Sequence, residues 1–104
     1  MGMKIYNKLV RDKIPEIIEQ DGKACIVRVL NDEEYLKALD EKLDEELCEY
    51  HKDQNVEELA DLLEVVYAAA EARGYSREML GKIRAQKVEK RGGFHNRFFL
   101  ESVE

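Results

Sequence analysis

The stretch "EELCEYHKDQNVEELAD", residues 45–61, decides the fold. It holds two carboxylate pairs at one spacing, Glu46 with Glu49 and Glu58 with Asp61, on either side of "KDQN". Upstream of that break, Leu36, Leu39, Leu43, Leu47 and Tyr50 recur at intervals of 3, 4, 4 and 3. This is one apolar stripe of a long helix over about residues 32–53. Asn31 reads as its N-cap, and Glu34 completes a capping box. Downstream, Leu59, Leu62, Leu63, Val66 and Ala70 form the stripe of a second helix that begins after Asn55 and ends at Gly74. Two long helices joined by so few residues must run antiparallel.

Residues three apart on a helix point the same way from adjacent turns. Glu46 and Glu49 flank the first stripe, and Glu58 and Asp61 flank the second. Packing stripe against stripe brings the four carboxylates toward one groove. Two like charges about 5 Å apart repel by about 3 kcal/mol at an effective dielectric of ~20, so the crowding calls for a counter-ion. An all-oxygen set without His or Cys suits Mg²⁺ or Mn²⁺ better than Zn²⁺. His51 points away from this flank and reads as a surface residue.

A plainer account competes. Acids make up 23 of 104 residues, so about five acid-x-x-acid pairs arise by chance. Asn55 and Glu58 also form a candidate capping box, which would engage the Glu58 carboxylate at the helix start. From spacing alone, a metal site and a solvated acidic face both remain open.

The outer segments are smaller. In "NKLVRDKIPEIIEQDG", residues 7–22, Pro15 is tolerable only in a first turn, so a short helix begins near Asp12 or Lys13 and ends at Gly22. "KACIVRVL" (23–30) and "RFFLESV" (97–103) read as short strands, pairing with each other or with a partner's copy. Ser76 caps a last helix that ends at Gly92-Gly93. The expected fold is therefore mainly α: an antiparallel helical bundle with one or two short peripheral β-strands, in a single domain over residues 1–104. A chain this small has little room for a core plus a deep pocket, so an active site implies a homo-oligomer.

Charge is unevenly spread. Residues 31–71 carry 15 acids and 3 bases, a net −12, while residues 1–30 sum to +2 and residues 72–98 to +6. This lacks the dominant basic face of a nucleic-acid binder. It suits a polyanion held through metal ions together with Lys and Arg. Arg84, Lys87 and Arg91 share a helix face, with Lys90 beside them. They either meet an anion or complement their own helix's C-terminal dipole. Lys8, Arg11 and Lys13 sit near a helix start, where bases are misplaced electrostatically. Cys25 and Cys48 form no C-x-x-C pattern and read as reduced thiols in a cytoplasmic protein. No apolar run is long enough to span a membrane. Gly2 lacks the Ser or Thr that a myristoylation signal places where Tyr6 stands, and Met3 offers an alternative native start.

Together, "YNKLVRDKIPEII" (6–18), "KLDEELCEY" (42–50), "EELADLLEVV" (57–66) and "KRGGFHNRFFL" (90–100) resemble the phosphoribosyl-ATP pyrophosphohydrolase-like, MazG-type branch of the all-α NTP pyrophosphatases. The resemblance implies Mg²⁺, or Mn²⁺ in its place, held by Glu46, Glu49, Glu58 and Asp61. It implies hydrolysis of a nucleoside triphosphate to monophosphate and pyrophosphate, in a homodimer or homotetramer. Glu45 or Glu49 is then the proton acceptor. Lys87, Arg91 and Arg97 neutralise the leaving pyrophosphate, and Lys8, Arg11 and Lys13 are further substrate contacts. The N-terminal element is foreign to the histidine-pathway enzyme's pattern, which makes phosphoribosyl-ATP the lesser alternative as substrate. A non-catalytic nucleotide-sensing or oligomerisation module is the alternative outside enzymes. No aromatic cluster marks a base pocket, since Tyr35, Tyr50, Tyr67, Phe94, Phe98 and Phe99 all suit a core.

Overall fold

The computed structural model describes residues 3–104; the readings made on Met1 and Gly2 lie outside them. Among these residues four helices follow one another: α1 (Ile14–Gln20), α2 (Asp32–Asp53), α3 (Val56–Ala72) and α4 (Arg77–Arg91). Pro15 lies in the first turn of α1, and Gly22, at φ +80°, turns the chain out of it. The chain is mainly helical, as expected.

Local chemistry sets each long helix's start. Asn31 and Glu34 form the full capping box: the Glu34 amide donates to Asn31 Oδ1 at 2.9 Å, and the Asn31 amide donates to Glu34 Oε1 at 3.3 Å. Arg28 adds a fork onto the same carboxylate at 2.9 and 3.2 Å. At α3, Asn55 Oδ1 accepts from the Glu58 amide at 3.0 Å. No return bond engages the Glu58 carboxylate there, so only half of the expected box forms. Ser76 caps α4 through the Met79 amide.

Between α2 and α3 the chain spends only Gln54 and Asn55. Gln54 adopts the left-handed conformation (φ 49°, ψ 41°), and its amide donates to the Tyr50 carbonyl at 2.7 Å. Asn55 is already extended. This reversal makes α2 and α3 antiparallel, the dominant packing of the molecule. α4 packs more lightly on α3, and α1 packs against no other helix.

Burial is thin. Leu39 is the only core residue shielded to 2% exposure among those described. Leu36, Leu43, Tyr50, Leu62, Val66 and Ala70 are half-buried, whereas Leu47, Leu59 and Leu63, from the same two stripes, remain exposed. A compact chain of this length has a radius of gyration of about 13 Å. Here it is 18.2 Å, with extents of 64 × 31 × 24 Å.

The expected strands do not form: residues 24–30 and 97–103 contain none among the described residues. β-Branched composition favours a strand only where a neighbouring backbone supplies the ladder and a face to pack on. Neither is present. Val29 is 97% exposed and Phe98 91%, and Arg97 opens the second segment in a left-handed conformation (φ +62°) that a strand does not adopt.

Replacing Asn55 by Ala removes the α3 cap at the reversal. Urea unfolding is expected to show a loss of about 1 kcal/mol with an unchanged m-value.

Candidate functional site

The antiparallel register puts the end of α2 opposite the start of α3. Each step back along α2 meets a step forward along α3. Two groups of carboxylates result, and both lie in this groove. Glu46, Glu58 and Asp61 each offer an oxygen within 4.8 Å of the others, and so do Glu49, Asp53 and Glu58. Glu58 belongs to both. All four carboxylates expected from the sequence are therefore brought together, split between two overlapping triads.

The sequence reading missed a fifth member. Asp53 follows Glu49 by four residues and extends the ridge Glu46–Glu49 by one turn. Its signal was that spacing, obscured by treating "KDQN" only as a helix break.

The electrostatics follow from the crowding. Glu58 has its carboxyl held above its ordinary value, first by partial desolvation and then by the charges of Asp53, Asp61, Glu49 and Glu46. Glu46 is the most sheltered member, its side chain 13% exposed, with Lys42 Nζ at 3.4 Å. Lys42, also missed in the sequence, pairs with Glu45 as well, at 3.3 Å.

Glu45 belongs to neither triad. Its Oε1 takes a hydrogen bond from Lys8 Nζ at 3.0 Å. Burial pushes its carboxyl up, but Lys8 and Lys42 outweigh that and leave it below its ordinary value. The same contact raises the Lys8 ammonium. Arg11 Nη2 lies 2.7 Å from Asp61 Oδ1. The N-terminal cations thus face carboxylates in this structure.

The other expected substrate contacts make no ion pair with the acidic group among the described residues. Lys13 caps α1 and is exposed. Lys87 lies exposed on α4. Arg91 and Arg97 share an open hollow of about 540 Å³ with Gly92–Phe99, and no member of the triads lines it. Lys90 and Arg91 occupy the last turn of α4, where they complement its dipole. Within one copy, Lys13, Lys87, Arg91 and Arg97 form no ion pair among the described residues. A second open cleft, about 510 Å³, begins one turn beyond Asp61. Asp12, Tyr35, Glu64 and Ala68 are in its lining. Arg77 at its edge grips Glu64 and Glu71 and lies 4.3 Å over the Tyr67 ring.

The donor set fits a hard divalent cation. Oxygens on opposite sides of Mg²⁺ stand about 4.2 Å apart, given bonds of roughly 2.1 Å, and the triads already hold theirs within 4.8 Å. His51 is exposed beside Tyr50 and joins neither triad. Cys25 and Cys48 are free thiols.

A curated relative from Mycolicibacterium smegmatis, described there as an uncharacterized protein, is 55% identical over 42 residues. The match covers 40% of this chain and 43% of the relative, so less than half of that protein is represented. No protein-family model matches the chain. No solved structure matches it. No helix among the described residues is long and apolar enough to cross a membrane.

The raised Glu58 carboxyl fixes the sign of a pH effect. Ionised Glu58 weakens the fold above its folded-state pKa, and the penalty disappears as pH falls through the carboxylate range. Glu45 and Glu34 act oppositely: their contributions are present above their ordinary values and are lost as pH falls through their lowered ones. Without metal at pH 7, Glu58→Gln is expected to melt higher than the parent protein, with the gap narrowing toward pH 4. Calorimetry across that range measures it.

Proposed function

We propose that this chain is a Mg²⁺-dependent nucleotide pyrophosphohydrolase, with Glu46, Glu49, Asp53, Glu58 and Asp61 holding the cation. One observation carries the reading: five carboxylates from two helices converge although their mutual repulsion opposes it. The motif resemblance supplies the reaction class, cleavage of a nucleoside triphosphate to monophosphate and pyrophosphate. Such chemistry rests on positioned charge more than on covalent catalysis. When bound, the cation supplies neutralisation of phosphate charge and a more acidic water.

The chain's own residues divide the remaining work. Glu49 is exposed, has no ion-pair partner among the described residues and stands outside the Glu46–Glu58–Asp61 triad, so with the cation in that triad it is the better proton acceptor. Glu45 is already engaged by two ammonium groups and serves to hold the N-terminal segment. Arg11 and Lys8 stand beside the carboxylates, at hand for an anionic substrate. Lys87, Arg91 and Arg97, which pair with no carboxylate of their own copy among the described residues, are at hand for the substrate of a second copy.

A homodimer or higher homo-oligomer belongs to this reading. A folded monomer of 12.1 kDa exposes about 6,000 Å², while this chain exposes 9881 Å². The excess is more than the per-chain share of an ordinary obligate interface, and the exposed apolar surface includes Leu47, Leu59, Leu63, Met79 and Ile83. Light scattering after size exclusion is expected to give at least twice the chain mass; a monomer at micromolar concentration rejects this assembly.

The catalytic reading is tested with a panel of canonical and damaged nucleoside triphosphates that also contains phosphoribosyl-ATP. Pyrophosphate release is expected with Mg²⁺ and is lost in Glu49→Ala and in Asp61→Ala, each keeping its helical circular dichroism. Turnover retained in both variants rejects the assignment. A tenfold excess of Mg²⁺ over its Kd stabilises the native protein by about 1.4 kcal/mol. An unchanged melting temperature, with or without a nonhydrolysable nucleotide, favours a non-catalytic helical module.

A further inference from the structure

Two ion pairs lay residues 3–13 across the acidic flank: Lys8 on Glu45 of α2 and Arg11 on Asp61 of α3. The segment has no helix or strand of its own before α1, and α1 packs on no other helix. These pairs are its polar ties to the bundle. They differ in what they occupy. Glu45 stands outside both carboxylate triads, whereas Asp61 Oδ1, 2.7 Å from the guanidinium, belongs to a residue of the first.

We propose that Arg11 is a built-in counter-ion for Asp61, displaced when a divalent cation enters the carboxylate groove, so that residues 3–13 form a strap whose hold depends on cation occupancy. The inference rests on the cation-site reading above and adds a competitor to it. The pair is weak because it is exposed, with 57% of the Arg11 side chain and 42% of the Asp61 side chain open to water. Exposed pairs of this kind are worth little. A divalent ion brings twice the charge, approaches an oxygen at roughly 2.1 Å and meets three carboxylates at once. Arg11 meets one. The remaining cation of the groove behaves differently: Lys42 is 15% exposed and pairs within its own helix, so it is not the group that leaves. Once released, the Arg11 guanidinium stands at the rim with an unspent charge, available to a phosphate-bearing ligand.

The test uses the full chain and Mn²⁺ alone as the probe, titrated calorimetrically into the parent protein, Arg11→Gln and Lys8→Gln. Both variants remove one positive charge from the same flank. Competition predicts that Arg11→Gln binds Mn²⁺ about three- to fivefold more tightly, while Lys8→Gln stays within about twofold of the parent, as a screened neighbouring charge should. Trypsin supplies a second readout: Mn²⁺ speeds cleavage after Arg11 in the parent protein. Equal or weaker binding by Arg11→Gln overturns the proposal, because Arg11 would then position Asp61. Equal tightening in both variants overturns it too, as a general charge effect. In these cases the cation site itself stands. If neither the parent nor Arg11→Gln takes up Mn²⁺, both the site and the strap are rejected.

Discussion

Repulsion among five carboxylates is the constraint around which this molecule is arranged. Glu46, Glu49 and Asp53 descend one edge of α2, and Glu58 and Asp61 climb the facing edge of α3. Apolar contact between the two stripes draws these edges together, and charge pushes them apart. The balance shows in Glu58, the residue common to both triads, which resists ionisation. It shows again in the cations drawn to the margin: Lys42 from within α2, Lys8 and Arg11 from far away in sequence. The basic N-terminal segment and the acidic centre are thus parts of one electrostatic arrangement.

Much of this was legible in the residues, for identifiable reasons. Helix boundaries followed from caps and stripes because those signals are local: Asn31 with Glu34, Asn55, Ser76, and the reversal at "KDQN". The gathering of Glu46, Glu49, Glu58 and Asp61 followed from helical phase plus antiparallel packing. Asp53 escaped because it was read as the end of a helix when it is also the last rung of the acidic ridge. Lys42 escaped because an (i, i+4) partner of Glu46 resembles ordinary surface pairing. The strands at 24–30 and 97–103 failed for a different reason. Strand formation depends on a neighbour in space, and composition carries no information about whether one is present.

The C-terminal arginines and the acidic groove share no contact among the described residues of one copy. Arg91 and Arg97 line a hollow with Phe94, Phe98 and Phe99, outside the acidic groove. The same C-terminal stretch presents its aromatic rings to solvent. Basic groups and unshielded apolar groups therefore occur together in this stretch, while the acidic groove lies at the α2–α3 reversal. An assembly that covers the rings would change the surroundings of those arginines at the same time, linking quaternary contact to the charge available near an anion.

The two-residue connection through Gln54 and Asn55 has a consequence for how the chain can change. Gln54 holds the left-handed turn and Asn55 the α3 cap, so adding or deleting one residue there would change the phase at which α3 meets α2. Glu58 and Asp61 would sweep out of the groove while the helix itself stayed intact. The joint works as a phase lock, coupling the angular position of one helix to the chemistry of the other. Residues 23–30 bear no such coupling to the carboxylates; Arg28 only braces the α2 cap through Glu34. Length variation is thus confined to the periphery by rotational geometry, even where stability would permit it at the centre.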